Sequence, residues 1–215
     1  MSVGDMFNSK FLIWSALLAV GCSGTASEDH DDEGFDSTVV VIPIDEPTTK
    51  ELKTESGMTW VIHQTPLSDS LINISIDTHG FSSDNQSLDF GETDPVVATL
   101  QADLDKDGFE ELYLFTRSAG PGAYGSVLGL YSDEDKSVSI ISFEGDTPYN
   151  SKEGEPYEGY LGEDEFAIID GVLTNTVSVS ATNGKEAEVK RMIHYQLIKA
   201  EGSVQLKPLG NGTKK

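Results

Sequence analysis

The chain is predicted to be all-β, an antiparallel β-sandwich or flattened barrel of about 8 to 10 strands. Two observations carry this expectation. Apolar and β-branched residues recur at period two through much of the sequence, and Gly, Asn and Asp punctuate the runs at short intervals. Few windows carry a helical period. In order, strands are expected over 58–63, 71–78, 96–104, 111–117, 126–131, 137–143, 166–169, 172–180, 189–198 and 203–207. Asp170-Gly171 between Phe166-Ala-Ile-Ile and Val172-Leu-Thr-Asn has the chemistry of a tight hairpin, because both residues tolerate positive φ. Asn183-Gly184 and Glu201-Gly202 suggest two more.

Ahead of these strands the composition changes twice. Residues 11–21 form a short apolar run after Lys10 and end in small residues, which fits a secretory signal peptide over 1–21. The run is too short to cross a bilayer, which needs about 20 residues. It ends at Cys22, the single cysteine of the chain. One thiol cannot staple a fold, and Ala19-Val20-Gly21-Cys22 resembles the bacterial lipoprotein processing box, which implies lipidation of Cys22. In that class Ser23, in place of an aspartate, implies passage to the outer membrane. Residues 22–37 then read as an acidic tether with almost nothing apolar, 38–209 as a single β domain, and 210–215 as a frayed tail.

The formal charge of −23, from 37 acidic and 14 basic residues, argues against nucleic acid, whose phosphates demand Lys and Arg. It favours a cationic partner steered in at a salt-dependent rate. Its other reading is solubility alone. His30, His63, His79 and His194 have no metal-ligand spacing, which argues against zinc. No nucleophile elbow or phosphate loop is present, and paired carboxylates such as Glu163-Asp164-Glu165 are too abundant to mark a glycosidase site, so no enzyme is expected. Asp103, Asp105 and Asp107 alternate before Gly108 with Glu111 following, a pattern that begins many calcium loops. Leu114 stands where an EF-hand needs its bidentate glutamate, so that assignment fails. Two readings stay open: a bound calcium ion, or a turn whose aspartates cap backbone amides.

The most informative stretch is 117–131, Arg-Ser-Ala-Gly-Pro-Gly-Ala-Tyr-Gly-Ser-Val-Leu-Gly-Leu-Tyr, a glycine and proline tip carrying one tyrosine between two strand-like runs. Pro121 fixes one dihedral while Gly122 allows a sharp reversal, so Tyr124 is expected outward on a stiff loop. Together with Tyr157-Glu-Gly-Tyr160-Leu-Gly-Glu-Asp-Glu-Phe166, this stretch resembles the bacterial periplasmic inhibitors of invertebrate-type (I-type) lysozyme over roughly residues 96–208. The resemblance implies that Ser118, Gly120, Pro121, Gly122, Tyr124 and Ser126 form an inhibitory loop that enters the lysozyme cleft. Tyr157 and Tyr160 are implied as further contacts, from a polar loop over 145–164 that also holds Tyr149. The family has a serine three residues before the loop tyrosine; here that residue is Pro121. The implied location is the periplasm of a Gram-negative bacterium, on a lipid anchor, with an I-type lysozyme as partner and no cofactor unless calcium. A homodimer is kept as a further partner reading. The alternative from another class is a non-inhibitory lipid-anchored β-sandwich binding calcium, a glycan or an envelope protein.

Overall fold

In the computed structural model the described residues are 46–143, 152–181, 188–200 and 202–209, all within the unit Ser37–Lys215. All regular structure among them is β. In chain order the strands are β1 (Thr48–Lys53), β2 (Thr59–Ser68), β3 (Leu71–His79), β4 (Ser87–Thr93), β5 (Val96–Ala102), β6 (Glu111–Arg117), β7 (Gly125–Asp133), β8 (Ser137–Phe143), β9 (Tyr160–Ile169), β10 (Val172–Ser180), β11 (Glu188–Ala200) and β12 (Ser203–Pro208). The first four form one sheet in chain order. The other eight form a second sheet in the order β5-β6-β7-β8-β12-β11-β10-β9. Pairing is antiparallel except between β8 and β12, where Val204 lies opposite Ile141 in a parallel register. The larger sheet curls as a half-barrel, and its last strand, β9, returns against β7.

Burial along β6 explains this architecture. Glu111 through Thr116 are all buried, as expected of a strand covered on both faces. Leu112 and Leu114 join Trp60, Ile62, Ile72, Ile74, Ile76, Leu130 and Val138 in a core facing the four-stranded sheet. Tyr113 and Phe115 turn the opposite way, into a second core inside the curl with Val127, Tyr131, Leu173, Val177, Ile193 and Leu206. Each such side chain, fully buried, contributes about 1.5–3 kcal/mol of burial free energy. The fold is therefore layered about the middle strands, with two cores where one sizeable core was expected.

Ten of the strands coincide with the expected runs, and two were not anticipated. β1 (Thr-Thr-Lys-Glu-Leu-Lys) offers one apolar side chain, and it is an edge strand in which Thr48 and Lys50 share the half-buried face with Leu52. β4, the other edge, is interrupted where Asp89 and Gly91 pair with consecutive residues of β3. An edge strand with one shallow face shows little alternation, so its signal is weak. β9 is also longer than expected, starting at Tyr160 and taking in the end of the segment that reads as a loop. The Asp170-Gly171 hairpin is present, with both residues at positive φ (52° and 72°) as a type I′ turn requires. In the β11–β12 hairpin Ala200 pairs with Ser203 and Gly202 has φ 78°, while Glu201 lies outside the described residues. Asn183-Gly184, Tyr149, Cys22, the signal segment 1–21, the tether 22–37 and the tail 210–215 lie outside the described residues. Among the described residues, no helix is long and apolar enough to cross a membrane.

Candidate binding loop and its brace

The loop between β6 and β7 is short and internally closed. Ala123 N–H donates to Gly120 C=O at 3.1 Å, with Pro121 and Gly122 between them. Proline at the second position and a glycine at φ 100° at the third define a type II turn. Ser118 N–H donates to Tyr124 C=O at 2.8 Å, and Tyr124 N–H returns to Ser118 Oγ at 2.9 Å, so the base of the loop is doubly clamped. Gly120 and Pro121 are exposed at the tip, and Ser126 is exposed where β7 begins.

Two further carbonyls are satisfied from outside the loop. Glu163 N–H donates to Gly122 C=O at 2.5 Å, and Asp164 N–H donates to Ala123 C=O at 3.3 Å. Both donors are free for this because β9 bulges there: Glu165 pairs with Thr176 and Gly162 with Ser178, leaving Glu163 and Asp164 opposite the single residue Val177. The bulge places Glu163 at φ 55° and Gly162 at φ 98°. At Gly162 a Cβ would lie 2.1 Å from Gly122 O, so only glycine permits the approach. Across the same contact, a Cβ on Gly125 would lie 2.6 Å from Asp164 Cβ.

Asp164 anchors the arrangement. It is 4% exposed, and its Oδ2 accepts Gly125 N–H at 2.9 Å and the Tyr160 hydroxyl, while its Oδ1 accepts Asn175 Nδ2 at 2.7 Å. Tyr160 stacks edge-on against Tyr157 at 5.5 Å, and the Tyr157 and Tyr195 hydroxyls are hydrogen-bonded inside the second core. Arg191 Nη1 donates to Pro156 C=O and Glu158 C=O, both at 2.8 Å, fixing the turn that leads into β9. Beside the bulge, Glu163 accepts from Lys190 Nζ and Ser178 Oγ, each at 2.7 Å, and these partners hold its carboxyl down at about 2.

The expected site residues therefore divide. Ser118, Gly120, Pro121, Gly122 and Tyr124 share one loop, and Ser126 is the second residue of β7. Tyr124 is 38% exposed, but its ring lies over Gly122 and Gly162 and 5.9 Å from the Tyr160 ring, so it is set into the loop's flank rather than extended from it. Gly120 and Pro121 are exposed at the turn itself. Tyr157 does not fit the expected role of a surface contact: it is buried, at 4% exposure, and supports Tyr160 from beneath. Tyr160 is half-buried and binds the brace to the loop. Sequence reasoning missed Gly162, Asp164 and Asn175. The repeated Tyr-x-Gly spacing over 157–162 was a signal for the first of these, and a polar residue inside the apolar run 172–180 was one for the last.

At the other end of β6, the turn over 103–108 is held by its own side chains. Asp103 accepts Asp107 N–H at 3.0 Å and Gly108 N–H at 2.8 Å, and Asp107 Oδ1 accepts Phe109 N–H at 3.0 Å. Glu111, fully buried at the start of β6, accepts Leu104 N–H at 2.9 Å through Oε2, and burial pushes its carboxyl up to about 8 with Asp105 and Asp103 adding to the rise. No protein-family model matches the chain, and neither does any curated protein or solved structure.

Proposed function

We propose that this protein is an inhibitor of I-type lysozyme that places the 118–126 loop in the enzyme's cleft and so protects bacterial peptidoglycan. The observation that carries the reading is the brace: an exposed Gly120-Pro121 tip followed by Gly122 and Ala123, whose carbonyls are held by the backbone of a distant bulged strand. A loop fixed before docking loses little conformational freedom on association. Tyr124 then offers a rigid aromatic edge and a hydroxyl, the profile of an interface hot spot.

Charge supports the same reading. In a chain with 37 acidic residues, residues 112–132 contain none, and Arg117 lies at the loop base. A glycosidase cleft carries paired carboxylates, which would repel an acidic loop and accept hydrogen bonds from neutral hydroxyl and amide donors. The acidic remainder of the chain attracts a basic enzyme from a distance, and the uncharged loop makes the contact. The Ser118 hydroxyl accepts Tyr124 N–H inside the loop, leaving its own proton to donate. Pro121 has no hydroxyl to contribute.

The reading is tested by titrating the purified protein into lysis assays with goose-, chicken- and invertebrate-type lysozymes. Dose-dependent loss of lysis with the invertebrate-type enzyme is expected. Unchanged lysis by all three enzymes would refute it.

A further inference from the structure

We propose that Asp103, Asp105, Asp107 and Glu111 form a calcium site at the β5–β6 turn, assembled from three turn carboxylates and one carboxylate from inside the fold. Each of the four offers a carboxylate oxygen, and these oxygens lie within 4.8 Å of one another. An ion bound at 2.3–2.6 Å has oxygens on opposite sides separated by about 4.6–5.2 Å, so the cluster fits inside one calcium coordination shell.

Alternating aspartates with backbone amides on their oxygens are common in turns that hold nothing. Glu111 is what sets this turn apart. Its side chain is fully buried, its Oε2 serves Leu104 N–H and the Tyr113 hydroxyl at 3.3 Å, and its Oε1 has no hydrogen-bond partner. A buried carboxylate oxygen without a donor is costly, and a cation among the aspartates would satisfy it.

Lys199 supplies part of the missing charge. Its ammonium lies 2.8 Å from Asp107 Oδ2 and 2.8 Å from Asp105 Oδ2, the latter an ion pair without hydrogen-bond directionality, and it sits 4.6 Å from the Tyr131 ring centroid. One ammonium against four carboxylates leaves room for a divalent ion. The donor set is entirely oxygen, which selects hard cations over zinc, and a cage made only of protein carboxylates suits calcium better than magnesium, which keeps most of its waters. The site is chemically independent of the loop at the far end of β6.

The test uses the purified protein, stripped with chelator and exchanged into metal-free buffer, then titrated calorimetrically with calcium chloride and melted with and without the ion. One ion is expected to bind with a dissociation constant of about 10⁻⁴ to 10⁻³ M, the range of extracellular calcium modules. At ten times that concentration the Tm should rise by about 3 °C or more. Glu111→Gln should raise the Tm of the metal-free protein while weakening calcium binding more than ~10-fold. Asp105→Asn, at a partly exposed position, should weaken binding similarly, so the result does not depend on the core variant folding. Calcium binding that neither substitution weakens, an equal response to magnesium, or no binding at millimolar calcium would overturn the proposal.

Discussion

The turns at the two ends of β6 solve the same problem in opposite ways. Both reverse a strand in a few residues, and both place backbone groups where no sheet partner reaches them. The 103–108 turn satisfies its amides with its own aspartates, so its shape is written into six consecutive residues. The 118–125 loop has too few polar side chains for that and takes donors from Glu163 and Asp164, about forty positions later in the sequence. A self-capped turn keeps its carboxylates near one point, which suits an ion. A loop held from behind keeps its outer surface clear, which suits a partner.

The sharpest way to break this contrast is to remove the remote anchor. Asp164→Ala removes the carboxylate that accepts from Gly125 N–H, the Tyr160 hydroxyl and Asn175 Nδ2, and should cost about 3 kcal/mol in denaturant unfolding. Amide exchange should then quicken at Ser118 and Gly125 while Asp107 and Gly108 keep their protection. Equal loss at both ends would show that the turns are not separately held.

Tyr124→Ala removes an aromatic edge from the surface, and with it the ring's packing over Gly122, Gly162 and Tyr160, while leaving the backbone hydrogen bonds of the brace in place. It should weaken lysozyme binding by about 2 kcal/mol, measured calorimetrically, and lower stability by about 1 kcal/mol. An unchanged dissociation constant in a folded variant would take Tyr124 out of the interface.

Pro121→Ser trades stiffness for a donor. One neutral hydrogen bond contributes about 1 kcal/mol, so inhibition should tighten roughly fivefold. Stability should fall by about 0.5 kcal/mol as the freer unfolded chain gains entropy. Inhibition no better than that of the parent would show that the hydroxyl is not what limits the loop.

The smallest effect concerns acid. Glu163 has a folded pKa of about 2 against an ordinary 4.5, because Lys190 and Ser178 favour its ionised form. A depressed carboxylate binds fewer protons in the folded state than in the unfolded state. Its contribution is complete above pH 4.5 and is lost as the pH falls toward 2. Glu163→Gln should therefore show a shallower fall of Tm with acidification across that window, and an identical slope would mean the pair with Lys190 is screened out.

Much of the fold was legible because period two is a local signal. β6, β8 and β10 begin and end where alternation and turn residues place them, and Asp170-Gly171 fixed its hairpin by φ preference alone. The edges β1 and β4 were not legible, since one half-buried Leu in Thr48–Lys53 is indistinguishable from a loop. The candidate loop itself could be read from Gly120-Pro121-Gly122, but its support could not. A bulge in β9 depends on register with β10, and register is set by packing across the whole strand rather than by the residues that bulge. Tyr157 shows the same limit: an aromatic in a polar segment reads as exposed until Tyr195 and Asn175 are found beneath it.

The central claim is that the braced loop occupies a lysozyme's substrate groove. The most direct measurement is the apparent affinity of the protein for an I-type lysozyme at increasing concentrations of a peptidoglycan-derived oligosaccharide that binds the groove without being cleaved. Affinity should fall in proportion to sugar occupancy, as competition for one site requires. Affinity independent of the sugar, or a stable ternary complex, would contradict the account.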